Sequence, residues 1–321
     1  MNTTSSYSRH RKEIHTLAQK HMASCDMCPR VCGVNRLAGE LGECGCAGKI
    51  PVSHYGLHHG EEPPISGTRG SGTIFFAYCN LHCAFCQNWQ ISQQPEVSGF
   101  DLYTPESLAE VMLELQDKQA HNINLVSPSH VCLPAAESIC IAREKGLTIP
   151  IVYNSNGYDS AAMLKIMEGL IDIYMPDIKY ADNDHAAAYS SADNYVQSNR
   201  AALKEMFRQV GPLQCDDKGV ARKGLLVRHL VLPHGLSGSI DCLRFLAGLS
   251  PEITISLMSQ YSPQYKAPGI PLMKRPLTHE EYDPIVEEAK ALGLENVFIQ
   301  ELSSQGHYLP DFDQENPFCN S

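Results

Sequence analysis

Cys79-Asn80-Leu81-His82-Cys83-Ala84-Phe85-Cys86 is the stretch on which the fold turns. Three cysteines at C-x3-C-x2-C spacing follow directly on the apolar run from Gly72 to Tyr78. Soft thiolates suit iron–sulfur clusters, and three of them can hold three corners of a [4Fe–4S] cube. The fourth iron then has no cysteine from this motif. An open metal position is where a substrate or cofactor binds, by the reasoning that separates catalytic from closed zinc sites. The competing readings are a zinc knuckle, which needs a fourth ligand nearby, and buried free thiols.

Downstream of residue 72, short apolar runs alternate with helical patterns. The runs are Thr73–Tyr78, Ile123–Val126, Ile149–Tyr153, Ile171–Met175, Leu225–Leu232 and Ile253–Met258, with a shorter one at Val297–Ile299. Between them Thr104 and Pro105 supply an N-cap and an N1 proline, and Leu108, Val111, Met112 and Leu115 recur at helical spacing. Further helices are expected near 134–145, 159–169, 197–210 and 239–248. A last one opens on the capping box Thr278–Glu281. Strands alternating with helices imply βαβ units and a parallel sheet. Six units are too few for a closed eight-stranded barrel, so the expected fold is α/β, an incomplete (β/α)6 TIM-like barrel. The chemistry belongs at the C-terminal ends of its strands, and Cys79 falls just past the first. Residues 51–71 read as a connecting loop and 182–198 as an inserted loop or short helix. The expected organisation is 1–71 as a cysteine-rich extension with its connection, 72–300 as the partial barrel, and 301–321 as a tail or a lid. Gly306, His307 and Pro310 fit a loop there.

A second cysteine group lies upstream, with Cys25, Cys28 and Cys32 followed by Cys44 and Cys46. Cys25, Cys28, Cys32 and Cys44 can close a tetrahedral zinc site or a second [4Fe–4S] cluster, with Cys46 as the alternative fourth ligand. Gly33, Gly39, Gly42 and Gly45 let backbone amides turn toward sulfur. Cys132, Cys140, Cys215, Cys242 and Cys319 are scattered and read as buried or inert thiols.

Composition narrows the function classes. Thirteen cysteines grouped in a 321-residue chain favour metal or catalytic use in a reducing compartment. No apolar run reaches the roughly 18 residues of a membrane helix, and the start lacks an apolar signal core. The cytoplasm is the expected location. A net charge of −11 argues against a nucleic-acid partner, which needs a basic stripe.

The cysteine motif, with Phe85 before its last cysteine, resembles the radical S-adenosylmethionine (SAM) superfamily. There SAM chelates the open iron and is reductively cleaved to a 5′-deoxyadenosyl radical. The resemblance extends through Cys28–Arg36, Gly60–Pro63, Gly70–Phe76, Cys86–Asn88, Asn122–Val126, Pro150–Asn154, Asp172–Asp177, Arg228–Pro233 and Ser259–Tyr261. Together these look like the PflX-type family, named for its similarity to pyruvate formate-lyase activating enzymes. The resemblance implies hydrogen abstraction from a substrate, with a glycyl radical enzyme as first candidate and a peptide or small molecule as alternative. It also implies a reductant such as flavodoxin or ferredoxin. A reading from another class is a non-catalytic iron–sulfur electron carrier or cluster-delivery protein, against which a large cavity would speak.

Residue by residue, Ser155-Asn156-Gly157 resembles the Thr-Asn-Gly of glycyl-radical activating enzymes, and Asp177-Ile178-Lys179 their Asp-x-Lys. In those enzymes the stretches help bind SAM and a monovalent cation. Carried over, Asp177, Ser155 and the Met175 carbonyl hold the cation, although Asn154 stands where the activase has aspartate. Arg228 is implied near the SAM carboxylate or ribose, where a guanidinium can fork onto a carboxylate. The Gly-Gly-Glu-like SAM motif is missing, and Ser127-Pro128-Ser129-His130 stands in its place. That leaves Ser127 to substitute and His130 to face substrate or serve structure. His58, His59, Glu61 and Glu62 either line the active-site mouth or are plain loop residues. Gln260 and Tyr261 would face the cavity. No residue is singled out as catalytic.

Overall fold

Strands whose two faces are both covered read as unbroken apolar runs, and the sheet of this protein is built from such strands. The computed structural model describes residues 3–305, 309–314 and 316–318. Gly306, His307 and Cys319 lie outside them. The chain starts with helix α1 (Thr3–Ala23), then β1 (Ile50–His58), the short α2 (Pro63–Ser66) and β2 (Ser71–Phe76). Two single-turn helices, α3 (Trp89–Ser92) and α4 (Pro95–Ser98), precede β3 (Asp101–Tyr103). Then α5 (Pro105–Asp117), β4 (Ile123–Val126), α6 (Cys132–Glu144), β5 (Ile151–Ser155), α7 (Ala161–Ile166) and β6 (Ile173–Pro176) alternate. After α8 (Asn183–Ser190) and α9 (Tyr195–Val210) come β7 (Gln214–Cys215), β8 (Ala221–Leu230) and α10 (Ser239–Leu249). The chain continues through β9 (Thr254–Met258), α11 (His279–Ala291) and β10 (Val297–Ile299).

The sheet runs as an open path, β10-β9-β8-β6-β5-β4-β2-β1-β3, with β7 hairpinned on β8. All neighbours from β2 to β10 pair in parallel, so the parallel part has seven strands, one more than six units require. This is an α/β fold with a mostly parallel sheet, consistent with a TIM-like partial barrel. The stretch expected as a loop from 51 contains a strand instead. β1 pairs antiparallel with β2 and with β3. Pro51 and Gly56 disfavour a strand locally, and a register shift between Val52 and His54 breaks the two-residue alternation. The 182–198 segment forms α8 and the start of α9. Asp182 caps α8 by accepting from the Asp184 and His185 amides.

One core unites the N-terminal segment with the barrel. Ile14, Ala18 and Met22 on one face of α1, together with Met27, Ile50 and Val52, share a cluster with Leu133, Ala136 and Ile141 of α6. The change at residue 71 is therefore a change of role within continuous packing. Cys132, Cys140 and Cys242 are buried, whereas Cys215 is exposed on the β7 hairpin because that two-residue strand lies outside the core. No helix among the described residues is long and apolar enough to cross a membrane.

The curvature of the sheet follows from which side chains meet. Asn124 of β4 and Arg228 of β8 both bond Glu61, while Arg228 and Ser256 of β9 both act on Glu62. In a flat sheet β4 and β9 would stand four strand spacings apart, about 19 Å. Their convergence on adjacent residues requires the sheet to bend into an arc. Ile65 of α2 fills the same interior beside Val152, Ile173, Met175 and Leu226.

Candidate active site

The concave side of the arc encloses a cavity of about 670 Å³, within the range of small-molecule sites. Cys79, Cys83 and Cys86 all line it. Tyr78 takes a left-handed φ of 67° and turns the chain out of β2, so the cysteine loop wraps over the strand end. Cys79 Sγ accepts the Leu81 amide at 3.4 Å and the Asn156 side-chain amide at 3.2 Å. The Ser190 hydroxyl donates to Cys83 Sγ at 3.1 Å, and Cys86 Sγ lies 3.1 Å from Ser92 Oγ.

Burial pushes the Cys79 thiol up to about 12 and Cys86 up to about 11. A bound iron reverses that order, because a coordinating thiol is deprotonated outright. Donors aimed at the sulfurs then offset thiolate charge in a largely buried site. The residues present therefore fit a cluster held by these three cysteines. Phe85 is buried, its ring centroid 6.0 Å from that of Tyr261.

Ser155, Asn156, Asp177, Lys179 and Arg228 also line the cavity. Asn156 bridges Cys79 and Asn80 Oδ1, the latter at 2.8 Å, and Asn80 in turn donates to the Tyr158 carbonyl. Ser155 Oγ donates to Asp159 at 2.6 Å, and Lys179 Nζ lies 2.5 Å from Asp177 Oδ2. Both side chains expected to hold a cation are thus engaged with other partners. Arg228, expected near the SAM carboxylate, gives its guanidinium to Glu62 at 2.8 Å and Glu61 at 2.6 Å.

Of the remaining candidates, His58, His59, Glu61, Glu62, Ser127 and Gln260 line the cavity. His130 is not among the residues that line the cavity. It is buried, with Nε2 3.0 Å from the Ala77 carbonyl and its own carbonyl accepting from Arg36. Tyr261 is buried with its hydroxyl on the Met273 carbonyl at 2.6 Å, which leaves Gln260 as the cavity-facing neighbour. Sequence reasoning missed Asn80, Ser92 and Ser190, ordinary polar residues that only the folded chain brings to the cysteines. Pro310 and Phe318 of the C-terminal segment line the cavity as well, and Phe312 packs on Phe75.

The N-terminal cysteines gather behind this loop. Cys25, Cys28, Cys44 and Cys46 are buried and Cys32 half-buried. A Cβ on Gly42 would stand 3.2 Å from Cys32 Sγ and 3.5 Å from Cys44 Sγ, so glycine is what lets those sulfurs flank the turn. A hydrogen bond from Cys46 holds Cys44 at about 6 despite burial, helped by Arg36, whereas burial pushes Cys46 up. Cys44 is accordingly the readier thiolate of the two. Among the described residues no three His, Cys, Asp or Glu side chains converge as on a single metal ion. The group touches the first cysteine loop: Arg30 Nε donates to the Asn80 carbonyl at 2.9 Å, and a Cβ on Gly45 would stand 2.6 Å from the Tyr78 ring.

Residues 73–210 match the family model of the Radical SAM superfamily. That match supports radical SAM chemistry, with the [4Fe–4S] cluster and SAM that the family implies. The chain is similar to two proteins of Methanocaldococcus jannaschii. Uncharacterized protein MJ0674 is 29% identical over 299 residues, 88% of this chain and 79% of the relative. Uncharacterized protein MJ0808 is 24% identical over 314 residues, 92% of this chain and 84% of the relative. Among solved structures, HydG, a maturase of the [FeFe]-hydrogenase, aligns at 12% identity and a TM-score of 0.47, covering 69% of this chain and 49% of HydG. Methylornithine synthase (PylB) aligns at 17% identity and 0.44, covering 69% of this chain and 61% of PylB. The chain thus spans less than two thirds of either solved chain.

Proposed function

We propose that this protein is a radical SAM enzyme of PflX type that abstracts hydrogen from a bound substrate. The observation that carries the reading is three cysteines on the wall of one cavity, each sulfur beside a hydrogen-bonding partner. When bound, the cluster and SAM supply one-electron cleavage of SAM to a 5′-deoxyadenosyl radical. Cys79, Cys83 and Cys86 hold the cluster, Asn156 and Ser190 offset thiolate charge, and the buried walls keep water from a reactive species. Phe85, Ser155, Asp177, Lys179 and Arg228 are the further residues assigned to cofactor binding. The electron comes from a low-potential reductant such as flavodoxin or ferredoxin. The N-terminal cysteines hold a second [4Fe–4S] cluster, with zinc as the alternative, and a reducing cytoplasm is the proposed compartment.

A glycyl radical enzyme is the first candidate substrate. A peptide or small molecule is the alternative, favoured by the packing of Pro310 and Phe318 along the cavity. The test is anaerobic reconstitution with iron and sulfide, then SAM and a strong reductant, with 5′-deoxyadenosine quantified beside Cys83→Ala. Product in the wild type alone supports the reading. Equal product in both proteins would overturn the assignment of the cluster to these cysteines.

A further inference from the structure

One wall of the cavity is built by residues that precede the first parallel strand. Glu61 and Glu62 enter the arc ahead of α2, and both side chains are only 6% exposed. Arg228 is their shared cation. Glu61 Oε1 accepts from Asn124 at 2.9 Å and Asn154 at 3.5 Å. Asn124 stands level with Thr73 in the β2–β4 register, three residues short of the end of β2, whereas the cysteines come after that end. Glu61 reaches from Asn124 to Asn154, and Arg228 stands level with Asp177 beyond the end of β6, so the carboxylate pair forms one wall of the cavity whose mouth the cysteines line.

Charge and hydrogen bonding at this wall point the same way. Two carboxylates face one guanidinium. Of the other titratable groups around the cavity, Asp177 and Lys179 pair with each other. Burial, with Arg228 and His59, drops His58 to about 4 and leaves it neutral at pH 7. His59 and the three cysteines Cys79, Cys83 and Cys86 complete the set. Burial raises Glu61 from the ordinary carboxylate range while Arg228 outweighs burial and lowers Glu62, so two acids compete for one cation. Among the described residues Glu62 Oε2 and Asn124 Oδ1 are buried without a hydrogen-bond partner, and Gln300 Oε1 on the cavity wall is another such atom. All three are acceptors. A buried acceptor left unpaired costs about 1–3 kcal/mol, which a ligand bringing N–H donors would recover. An anion would be repelled and an apolar group would leave the acceptors unmet.

We propose that the Glu61–Glu62–Arg228 wall of the cavity recognises a positively charged nitrogen group, an ammonium or a guanidinium, on the molecule that the enzyme acts on. Seating the cation on that wall leaves the remainder of the molecule in the cavity that the cysteines line. That this ligand is a substrate rests on the radical SAM reading; the charge selectivity of the site does not.

The experiment is ligand-observed NMR titration of the anaerobically reconstituted full chain at pH 7. The probes are butylguanidine and butylamine, with butylurea as the neutral isostere and butyrate as the anion. The wild type is expected to bind both cations about tenfold more tightly than butylurea, the worth of one charge-assisted hydrogen bond. Glu62→Gln is expected to erase that preference. Equal binding of butylguanidine and butylurea by the wild type overturns the proposal whether or not the variant folds. So does a cation preference that persists in folded Glu62→Gln, or butyrate as the best ligand. Because no turnover is read, failure here is separate from failure to form 5′-deoxyadenosine.

Discussion

The side-chain amide of Asn156 lies 3.2 Å from Cys79 Sγ and joins the end of β5 to the cysteine loop after β2. An N–H donor favours the more negative, reduced state of a cluster on that sulfur. Asn156→Ala is expected to lower the reduction potential by roughly 40 mV, taking about 1 kcal/mol for the lost bond. A redox titration followed by electron paramagnetic resonance reads this directly. An unchanged potential would mean that the bond positions the loop without tuning the metal.

Gly157 has φ +74°, and a Cβ there would stand 2.0 Å from the Asp177 carbonyl and 2.3 Å from Asn199 Nδ2. Gly157→Ala combines a disfavoured backbone with a clash against main chain. It should cost about 3 kcal/mol or more in urea unfolding. The same change displaces Asp177, so affinity for SAM should fall with it in equilibrium dialysis.

His229 and His130 are buried and neutral. Burial drops His229 to about 4 and His130 to about 3, from an ordinary value of 6.5. Below 6.5 the unfolded chain binds protons that the folded chain refuses, so stability falls as pH falls, until the folded values are reached. Each histidine contributes up to about 1.4 kcal/mol per pH unit in that window. Thermal midpoints measured from pH 7.5 down to 5 should decline, and His229→Gln should flatten the slope by one histidine's share.

Cys28 is buried, and burial pushes its thiol up to about 12. If the N-terminal cysteines hold a second cluster, Cys28→Ala should remove about half of the iron of the reconstituted protein while Cys79, Cys83 and Cys86 keep theirs. Zinc lost in place of iron would assign a zinc site. Iron and zinc both unchanged would refute the second metal site.

The parallel strands were legible because each is a short apolar run bounded by turn residues, and Ile123–Val126 matches its expected bounds residue for residue. The helix at Thr104 was legible from its cap, which the Thr104–Ser107 capping box realises. β1 was hidden by Pro51, by Gly56 and by the register shift that disrupts alternation. Ser190 could not be read as a partner of Cys83 because 107 residues separate them. Glu61 and Glu62 look like any polar loop until a curved sheet brings Arg228 to them. Local pattern marks where a strand or cap lies, but not which distant side chains the curvature unites.

The pairing of Glu62 with Arg228 spans 166 residues. Contacts of such separation are costly to close early, and proteins rich in them fold slowly. During synthesis both carboxylates emerge long before the guanidinium they pair with, so the interior around α2 lacks that charge until β8 has left the ribosome. A chain cut short before Arg228 would keep most of its strands yet strand two acids in an apolar interior. Such a fragment should settle as a loose, protease-sensitive species, which makes the arginine a late checkpoint on the completeness of the chain.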